Sequence, residues 1–163
     1  MLEVSCGVIL FTMENDTAHY LLIRDQYGNC GFPKGHMEAG ETEAETALRE
    51  VWVETSIRPK LIPGFREEIR YSMNNGNDKK VVFYLGRFCG QTPSRNAGFE
   101  QFDFILLPFQ KALDRLSFAH TKAVLQRADV FVRWETSGDP SHKTARQTLC
   151  HDLRGGKTIE LQL

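Results

Sequence analysis

Short apolar segments alternate with polar, glycine-rich turns along most of the chain. Residues 4–11 and 19–24 are almost continuously apolar and too short for typical helices, so they predict two buried strands. Residues 42–55 are different, because apolar side chains recur there at helical spacing and glutamates are enriched in the first turn. This pattern predicts a helix of about four turns.

The second half of the chain predicts a hairpin followed by one more strand and short helices. Two strand-like segments, residues 65–72 and 80–88, are separated by the turn-rich residues 74–78. A further strand is predicted at residues 102–107, and Pro108 is suited to the first turn of a following helix. Helical patterns then continue through residues 111–116 and 120–128.

Glycine and proline mark the expected breaks in regular structure. Residues 25–35 contain Gly28, Asn29 and Gly31 before Pro33 and Gly35, so they predict a loop without strands. Pro59 and Pro63 are expected to end the helix that precedes them.

The order of these elements is neither a strict βαβ alternation nor strands followed by helices. It predicts an α/β protein with a curved mixed sheet flanked by helices. The length of 163 residues fits one domain, which we place at residues 1–136. Residues 137–163 are polar, contain several glycines and show no period, so they are treated as a C-terminal extension of unpredicted structure.

Composition excludes some functions but selects none. The formal net charge of -1 gives no overall attraction to nucleic acid or to an anionic membrane. No apolar run reaches the roughly 20 residues that span a bilayer. The four cysteines form no CxxC pair, and the N-terminus does not resemble a signal peptide. We therefore expect a cytoplasmic protein without a membrane partner, and the sequence carries no signal for its oligomeric state.

Acidic residues are concentrated in and just before the predicted helix. Six glutamates, at positions 38, 41, 43, 45, 50 and 54, surround the single basic residue Arg49. Glu50 and Glu54 are four positions apart and therefore share one helix face, where their charges repel unless a cation lies between them. Oxygen-only ligands favour Mg²⁺, or Mn²⁺, which commonly acts on phosphates. The alternative is a solvated surface helix that uses its acids for solubility.

The segment 35–57 resembles the Nudix box. The pattern of that family is glycine, five residues, glutamate, seven residues, Arg-Glu, an aliphatic residue, any residue, Glu-Glu, any residue, glycine and an aliphatic residue. Seven of its nine specified positions match here: Gly35, Glu41, Arg49, Glu50, Val51, Glu54 and Ile57. The departures are Val53, where the first glutamate of the pair is expected, and Ser56, where the glycine is expected.

The resemblance implies a Nudix-type α/β/α sandwich that hydrolyses phosphoanhydride bonds. It assigns Glu50 and Glu54 as Mg²⁺ ligands with catalytic roles, while Arg49 orients a carboxylate and Glu41 fixes the geometry of the loop and helix. Val53 puts the strength of metal binding in question, because that position commonly contributes to the metal site in this family.

Nudix enzymes often take another carboxylate from outside the box. Glu100 occupies that place here and is assigned as a metal ligand or as the base for the attacking water. Asp103 and Glu68 are the alternatives.

Residues of the preceding loop are candidates for phosphate binding. Gly35 would let the backbone approach a phosphate, Lys34 would supply a positive charge, and His36 would donate a hydrogen bond or act as an acid. For each of them the alternative is an ordinary surface residue.

Beyond the box, the order of segments resembles the asymmetrical diadenosine tetraphosphate hydrolases, which implies a nucleotide or dinucleotide substrate. Tyr71 and Phe83 are candidates to stack on an adenine, as is Tyr84, although aromatic residues in strands more often belong to the core. Two other functions stay open. One is a pyrophosphohydrolase of RNA 5′ ends, using Arg66, Arg70, Lys79, Lys80 and Arg87 as a basic path if strand alternation does not scatter them. The other is a nucleotide-binding module with little turnover.

Overall fold

The computed structural model describes residues 1–95 and 103–137, which form a mixed sheet with helices on both faces. The helix α1 (Glu43–Thr55) covers one face, and α2 (Phe109–Arg115) and α3 (Ala119–Ser137) cover the other. The expected α/β sandwich with a mixed sheet is therefore confirmed. Of the predicted C-terminal extension only Ser137, the last residue of α3, lies within the described residues.

The sheet has seven strands in the part of the chain that the structure describes. In chain order they are β1 (Leu2–Glu14), β2 (Thr17–Arg24), β3 (Cys30–Gly31), β4 (Lys34–His36), β5 (Lys60–Ser72), β6 (Asp78–Arg87) and β7 (Asp103–Pro108). The main order is β3-β2-β1-β6-β5, with β4 paired to β1 and β7 paired to β2. Only the central pair β1 and β6 is parallel among these described pairs.

The central strands separate two hydrophobic clusters because successive side chains point to opposite faces of the sheet. Ile9 and Phe11 join the cluster beneath α2 and α3. Their neighbours Val8 and Leu10 join the cluster beneath α1, where Val51 is fully buried. Burial on both faces explains why β1 is almost continuously apolar rather than alternating in sequence.

Three local predictions need correction. The segment 25–35 was expected to be a loop, but β3 and β4 each form a short ladder there. The partner of β4 lies far away in sequence on β1, while β3 forms a hairpin with the neighbouring β2 that is too short to show an alternating pattern. Pro63 does not lie beyond regular structure, because it falls within β5 at a register shift of the ladder to β6. The last helix continues past the predicted residue 128 to Ser137.

Both ends of α1 are fixed by specific hydrogen bonds. At the N-terminus Thr42 and Glu45 form a capping box, in which the Glu45 amide donates to the Thr42 hydroxyl and the Thr42 amide donates to the Glu45 carboxylate. At the C-terminus Ser56 adopts a left-handed conformation with φ 58°, and its amide donates to the Trp52 carbonyl at 2.9 Å. Ser56 thus takes the turn conformation that the usual box glycine adopts without strain.

The described residues contain no helix that is both long enough and apolar enough to cross a membrane.

We expect Ser56→Gly to raise the free energy of unfolding by up to about 1 kcal/mol, because glycine adopts the left-handed region without a Cβ penalty. The gain is reduced by loss of the hydrogen bond from the Ser56 hydroxyl to the Ser94 carbonyl, 3.2 Å long. Ser56→Ala is the matched control, since it keeps the Cβ and loses only the hydroxyl, and it should lower stability. Urea unfolding of wild type and the two variants measures their order of stability. A glycine variant less stable than the alanine variant would contradict the backbone strain assigned to Ser56.

Candidate active site

The short strand β4 is joined to α1 through all three of its residues. The Lys34 amide donates to Glu54 Oε2 at 3.0 Å, and the His36 carbonyl accepts from Arg49 Nη2 at 2.9 Å. Between them, a Cβ built on Gly35 would overlap the carboxylate of Glu50. Glycine at position 35 therefore lets this carboxylate lie directly against the strand, where the sequence had suggested room for a phosphate.

Arg49 connects the loop before α1 to the helix itself. Its guanidinium donates to both oxygens of Glu41, with Nε to Oε1 at 2.6 Å and Nη2 to Oε2 at 2.9 Å. Its third nitrogen, Nη1, donates to Glu50 Oε1 at 2.5 Å. Glu41 also accepts from the Thr46 hydroxyl at 2.7 Å and from the Glu38 amide at 3.1 Å. Arg49 therefore has the contacts needed to orient Glu50, and Glu41 those needed to fix the loop.

The pairing of Arg49 with Glu41 shifts the pKa values of both groups. The hydrogen bond from Arg49 is the main cause that lowers the pKa of Glu41 to about 2, with further lowering by the Thr46 hydroxyl. The same bond raises the pKa of Arg49 above its ordinary value. Both groups thus stay charged over the whole range in which the protein would function.

Glu50 and Glu54 lie near β4 at the C-terminal half of α1. The Glu50 side chain is 15% exposed, and one of its oxygens is already oriented by Arg49. Val53, at the usual position of another glutamate, is half-buried on the same helix. Within residues 1–95 and 103–137, no three His, Cys, Asp or Glu side chains group closely enough to hold a metal ion.

A cavity of about 380 Å³ opens beside this end of the helix. Four residues singled out in the sequence line it, namely Lys34, Glu54, Tyr71 and Phe83. They come from β4, α1, β5 and β6, so the fold brings together side chains that are far apart in the chain. Gly35, His36, Arg49 and Glu50 are not among its lining residues.

The cavity also contains aromatic residues that the sequence interpretation missed. His120 stacks on Tyr71 with ring centroids 5.3 Å apart, and Phe118 stacks on His120 at 5.6 Å. Tyr71 is 39% exposed and Phe118 is 48% exposed, so both rings are accessible. The apolar residue at 118, in the break between two predicted helices, was the signal available in the sequence.

The other two aromatic candidates do not present an accessible ring to the cavity. Phe83 is only 1% exposed and packs edge-to-face on Phe32, so it belongs to the core and forms the floor of the cavity. Tyr84 is the next residue in the strand and therefore points to the face covered by α1. Of the three aromatic candidates, Tyr71 is the one with an accessible ring at the cavity.

His36 lies on the same face of the sheet as Lys34 but away from the cavity lining. Its Nε2 is 2.9 Å from Lys79 Nζ and 3.3 Å from Glu3 Oε2. Burial is the main cause that lowers the pKa of Lys79, and the nearby charge of Lys34 lowers it further. Lys79 and Lys34 are therefore close enough to repel each other, while Glu3 balances the charge of Lys79.

The extra carboxylate can be described only in part. Glu100 lies outside the described residues. Asp103 accepts from Arg24 at 2.5 Å and from Arg95 at 2.7 Å. Glu68 accepts from Arg66 and Arg70 at 3.0 and 2.7 Å. Both alternatives are thus neutralised by arginines.

The basic residues of the hairpin do not form one path. Arg66 and Lys80 both donate to Glu43 on the α1 side, at 2.8 and 3.1 Å. Lys79 and Arg87 occupy odd positions of β6 and point to the other face. The alternation scatters these cations over both faces, and acids neutralise those on the α1 side.

The family model described as NUDIX domain matches residues 1–128, and the chain belongs to this family. The asymmetrical bis(5′-nucleosyl)-tetraphosphatase of Mus musculus is 31% identical over 139 residues, covering 78% of this chain and 94% of the relative. The corresponding enzyme of Sus scrofa is 30% identical over the same length. Family and relatives together identify the chain as a Nudix pyrophosphohydrolase, which confirms the expectation of an enzyme.

Solved structures agree on the fold. The binary complex of the C. elegans Ap4A hydrolase superposes with a TM-score of 0.73 at 20% identity, covering 80% of this chain and 97% of that chain. The NUDIX domain of Shewanella oneidensis NrtR, crystallised with ADP ribose, gives a TM-score of 0.65 at 19% identity, covering 80% of this chain and 89% of that chain.

The pairing of Glu41 with Arg49 predicts a specific dependence of stability on pH. The folded pKa of Glu41, about 2, lies below its ordinary value of 4.5, so the pair stabilises the fold fully above about pH 4.5 and loses this effect as the pH falls toward 2. We expect wild type to be more stable than Glu41→Gln at pH 7, with the difference shrinking between pH 4.5 and 2. Urea unfolding at a series of pH values measures this, and a difference independent of pH would contradict it.

Proposed function

We propose that the chain is a Mg²⁺-dependent hydrolase of phosphoanhydride bonds in nucleoside polyphosphates, with dinucleoside polyphosphates such as diadenosine tetraphosphate as its main substrates. The observation that carries the proposal is the composition of one cavity: a box carboxylate, Glu54, lines it together with the Lys34 cation and the accessible ring of Tyr71. These are the three kinds of group that a metal, a phosphate and a nucleobase require. The mouse and pig relatives, named for bis(5′-nucleosyl) tetraphosphates, support this choice of substrate.

The carboxylates fit Mg²⁺ better than a metal that needs a complete protein cage. Magnesium usually keeps several waters and takes one or two carboxylates plus substrate phosphates. Glu50, packed on Gly35 and oriented by Arg49, and Glu54, one helical turn later, supply two such carboxylates. Glu100 is the proposed third ligand or the base. Bound Mg²⁺, or Mn²⁺ in its place, would neutralise charge on the nonbridging oxygens and lower the pKa of a bound water.

The chain's own residues would then hold the rest of the polyphosphate. Lys34 lines the cavity from β4, and its backbone amide is hydrogen-bonded to Glu54. This bond fixes the point from which the Lys34 side chain extends toward the substrate. Lys79 adds a second positive charge nearby, and a polyphosphate between them would relieve the repulsion of these two lysines. The local excess of cations thus serves a polyanion in a chain whose net charge is close to zero.

A nucleobase would bind at the aromatic end of the same cavity. Tyr71, His120 and Phe118 offer flat surfaces there, and stacking on an aromatic ring typically contributes about 1–3 kcal/mol per base. Stacking tolerates different bases, so the preference for adenine would depend on the polar residues of the lining, which include Asp25 and Asn29.

The two other functions receive less support. A pyrophosphohydrolase of RNA ends would need a continuous basic path, whereas the hairpin cations are divided between the two faces of the sheet. A binding module with little turnover is motivated by Val53 alone, while Arg49, Glu50 and Glu54 keep the contacts described above.

The substrate is tested by incubating the purified protein with diadenosine tetraphosphate, ATP and triphosphorylated RNA, each with Mg²⁺ or Mn²⁺, and identifying the products. We expect diadenosine tetraphosphate to be cleaved fastest. Glu54→Gln should lower kcat at least about a hundredfold because it removes a charged metal ligand, and Asp114→Asn on the exposed side of α2 serves as the control. Unchanged turnover in Glu54→Gln would exclude the metal role, and nucleotide binding without release of any product would favour the binding module.

Val53→Glu tests the departure from the family pattern. A third carboxylate beside Glu50 and Glu54 would strengthen metal binding, so the Mg²⁺ concentration for half-maximal activity should fall by about tenfold. Without metal, the added like charge should lower the melting temperature relative to wild type, and Val53→Gln, of similar size but neutral, is the control. An equal Mg²⁺ requirement in all three proteins would show that position 53 does not reach the metal.

A further inference from the structure

Lys79 is a buried cation held by two polar partners, His36 of the Nudix box and Glu3 outside it. It is only 6% exposed, although lysine is almost never buried without a partner. Its ammonium lies 2.9 Å from His36 Nε2 and 3.6 Å from Glu3 Oε2. A neutral imidazole nitrogen accepts a hydrogen bond but offers no countercharge, so the balancing charge comes from Glu3.

Glu3 is itself fixed in place. Its Oε1 accepts from the side-chain amide of Asn77 at 3.0 Å, while Oε2 faces His36 and Lys79. The hydrogen bond from Asn77 is the main cause that lowers the pKa of Glu3, and contact with His36 lowers it further. Glu3 is thus a charged and oriented partner for Lys79, supplied by the first residues of β1.

We propose that Glu3 is a positioning residue for the substrate, which holds the Lys79 ammonium beside the cavity so that it binds the polyphosphate together with Lys34. The proposal rests on the proposed function, because it concerns the phosphate end of that same site. Strand register supports it: Glu3 pairs with Lys79, and Lys79, which is not itself a lining residue, pairs with Tyr71, which lines the cavity.

The charges around Lys79 explain why such support is needed. Two positive or potentially positive groups face it from β4, namely Lys34 and His36. Among the described residues, Glu3 is the acid that forms an ion pair with Lys79. Burial and Lys34 already lower the pKa of Lys79, so loss of Glu3 would lower it further and also free the side chain to move.

The two possible roles of Glu3, a nearby negative charge or a group that positions Lys79, predict opposite changes in polyanion affinity when its carboxylate is removed. If Glu3 acted only as a nearby negative charge, its removal would strengthen the binding of a polyanion. If it positions a protonated Lys79, its removal weakens that binding. The sign of the change in affinity therefore separates the two possibilities.

The experiment compares wild type, Glu3→Gln and Glu3→Asp by calorimetric titration with inorganic tripolyphosphate, without metal, at several pH values. Glu14→Gln, at the other end of β1, is the matched control. Asn77→Ala removes the support of Glu3 without changing charge. We expect about a tenfold higher Kd for Glu3→Gln, partial recovery in Glu3→Asp, about a threefold higher Kd for Asn77→Ala and no change in the control. With hydrolysed substrate, KM should rise in Glu3→Gln while kcat stays within about twofold.

The alkaline limit of binding gives a second readout. Because only protonated Lys79 attracts phosphate, a lower Lys79 pKa in Glu3→Gln moves the loss of tripolyphosphate binding to lower pH than in wild type. Unchanged or tighter binding by Glu3→Gln, with wild type binding normally, overturns the positioning role. Absence of tripolyphosphate binding in wild type would instead overturn the proposed polyphosphate site. If Glu3→Gln does not fold, unchanged binding by Asn77→Ala overturns the inference.

Discussion

The site depends on one interaction, the two hydrogen bonds between Arg49 and Glu41. This pair joins the loop before α1 to the body of the helix, and the remaining donors of the same guanidinium reach the His36 carbonyl and the Glu50 carboxylate. One planar group therefore sets the distance from strand to helix and the orientation of a metal-binding candidate. Lysine has a single donor centre and does not reproduce this geometry.

The short strand β4 presents different residues to its two faces. Gly35 faces α1 and admits the Glu50 carboxylate, while Lys34 and His36, one position either side, face the other way. The pairing of β4 with β1 then determines which charges meet on that second side, since it places His36 beside the first residues of β1, where Glu3 lies. The Glu50 carboxylate and the Lys34 cation thus lie on opposite faces of this strand, while Glu54 lines the same cavity as Lys34.

What the sequence predicts well is local. The helix and the glutamates of its first turn follow from residues within a few turns of each other, and the structure has them in place. The pairing of β4 with β1, the stacking of His120 on Tyr71 and the contact of Glu3 with Lys79 join segments that are far apart in sequence. No periodicity encodes such contacts. Phe83 shows the limit within a single strand, because its pattern fits both a core residue and a cavity residue, and it is both.

Under the proposed function, Val53 affects both the binding of the metal and the binding of the polyphosphate. A helix with fewer carboxylates repels a polyphosphate less but also binds a free divalent ion less tightly, so more of the metal's ligands must come from the substrate. A metal that arrives on the polyphosphate must be placed by the groups that hold the phosphates. In this chain those groups are Lys34 and Lys79, and the cationic face would therefore contribute to metal placement as well as to substrate affinity.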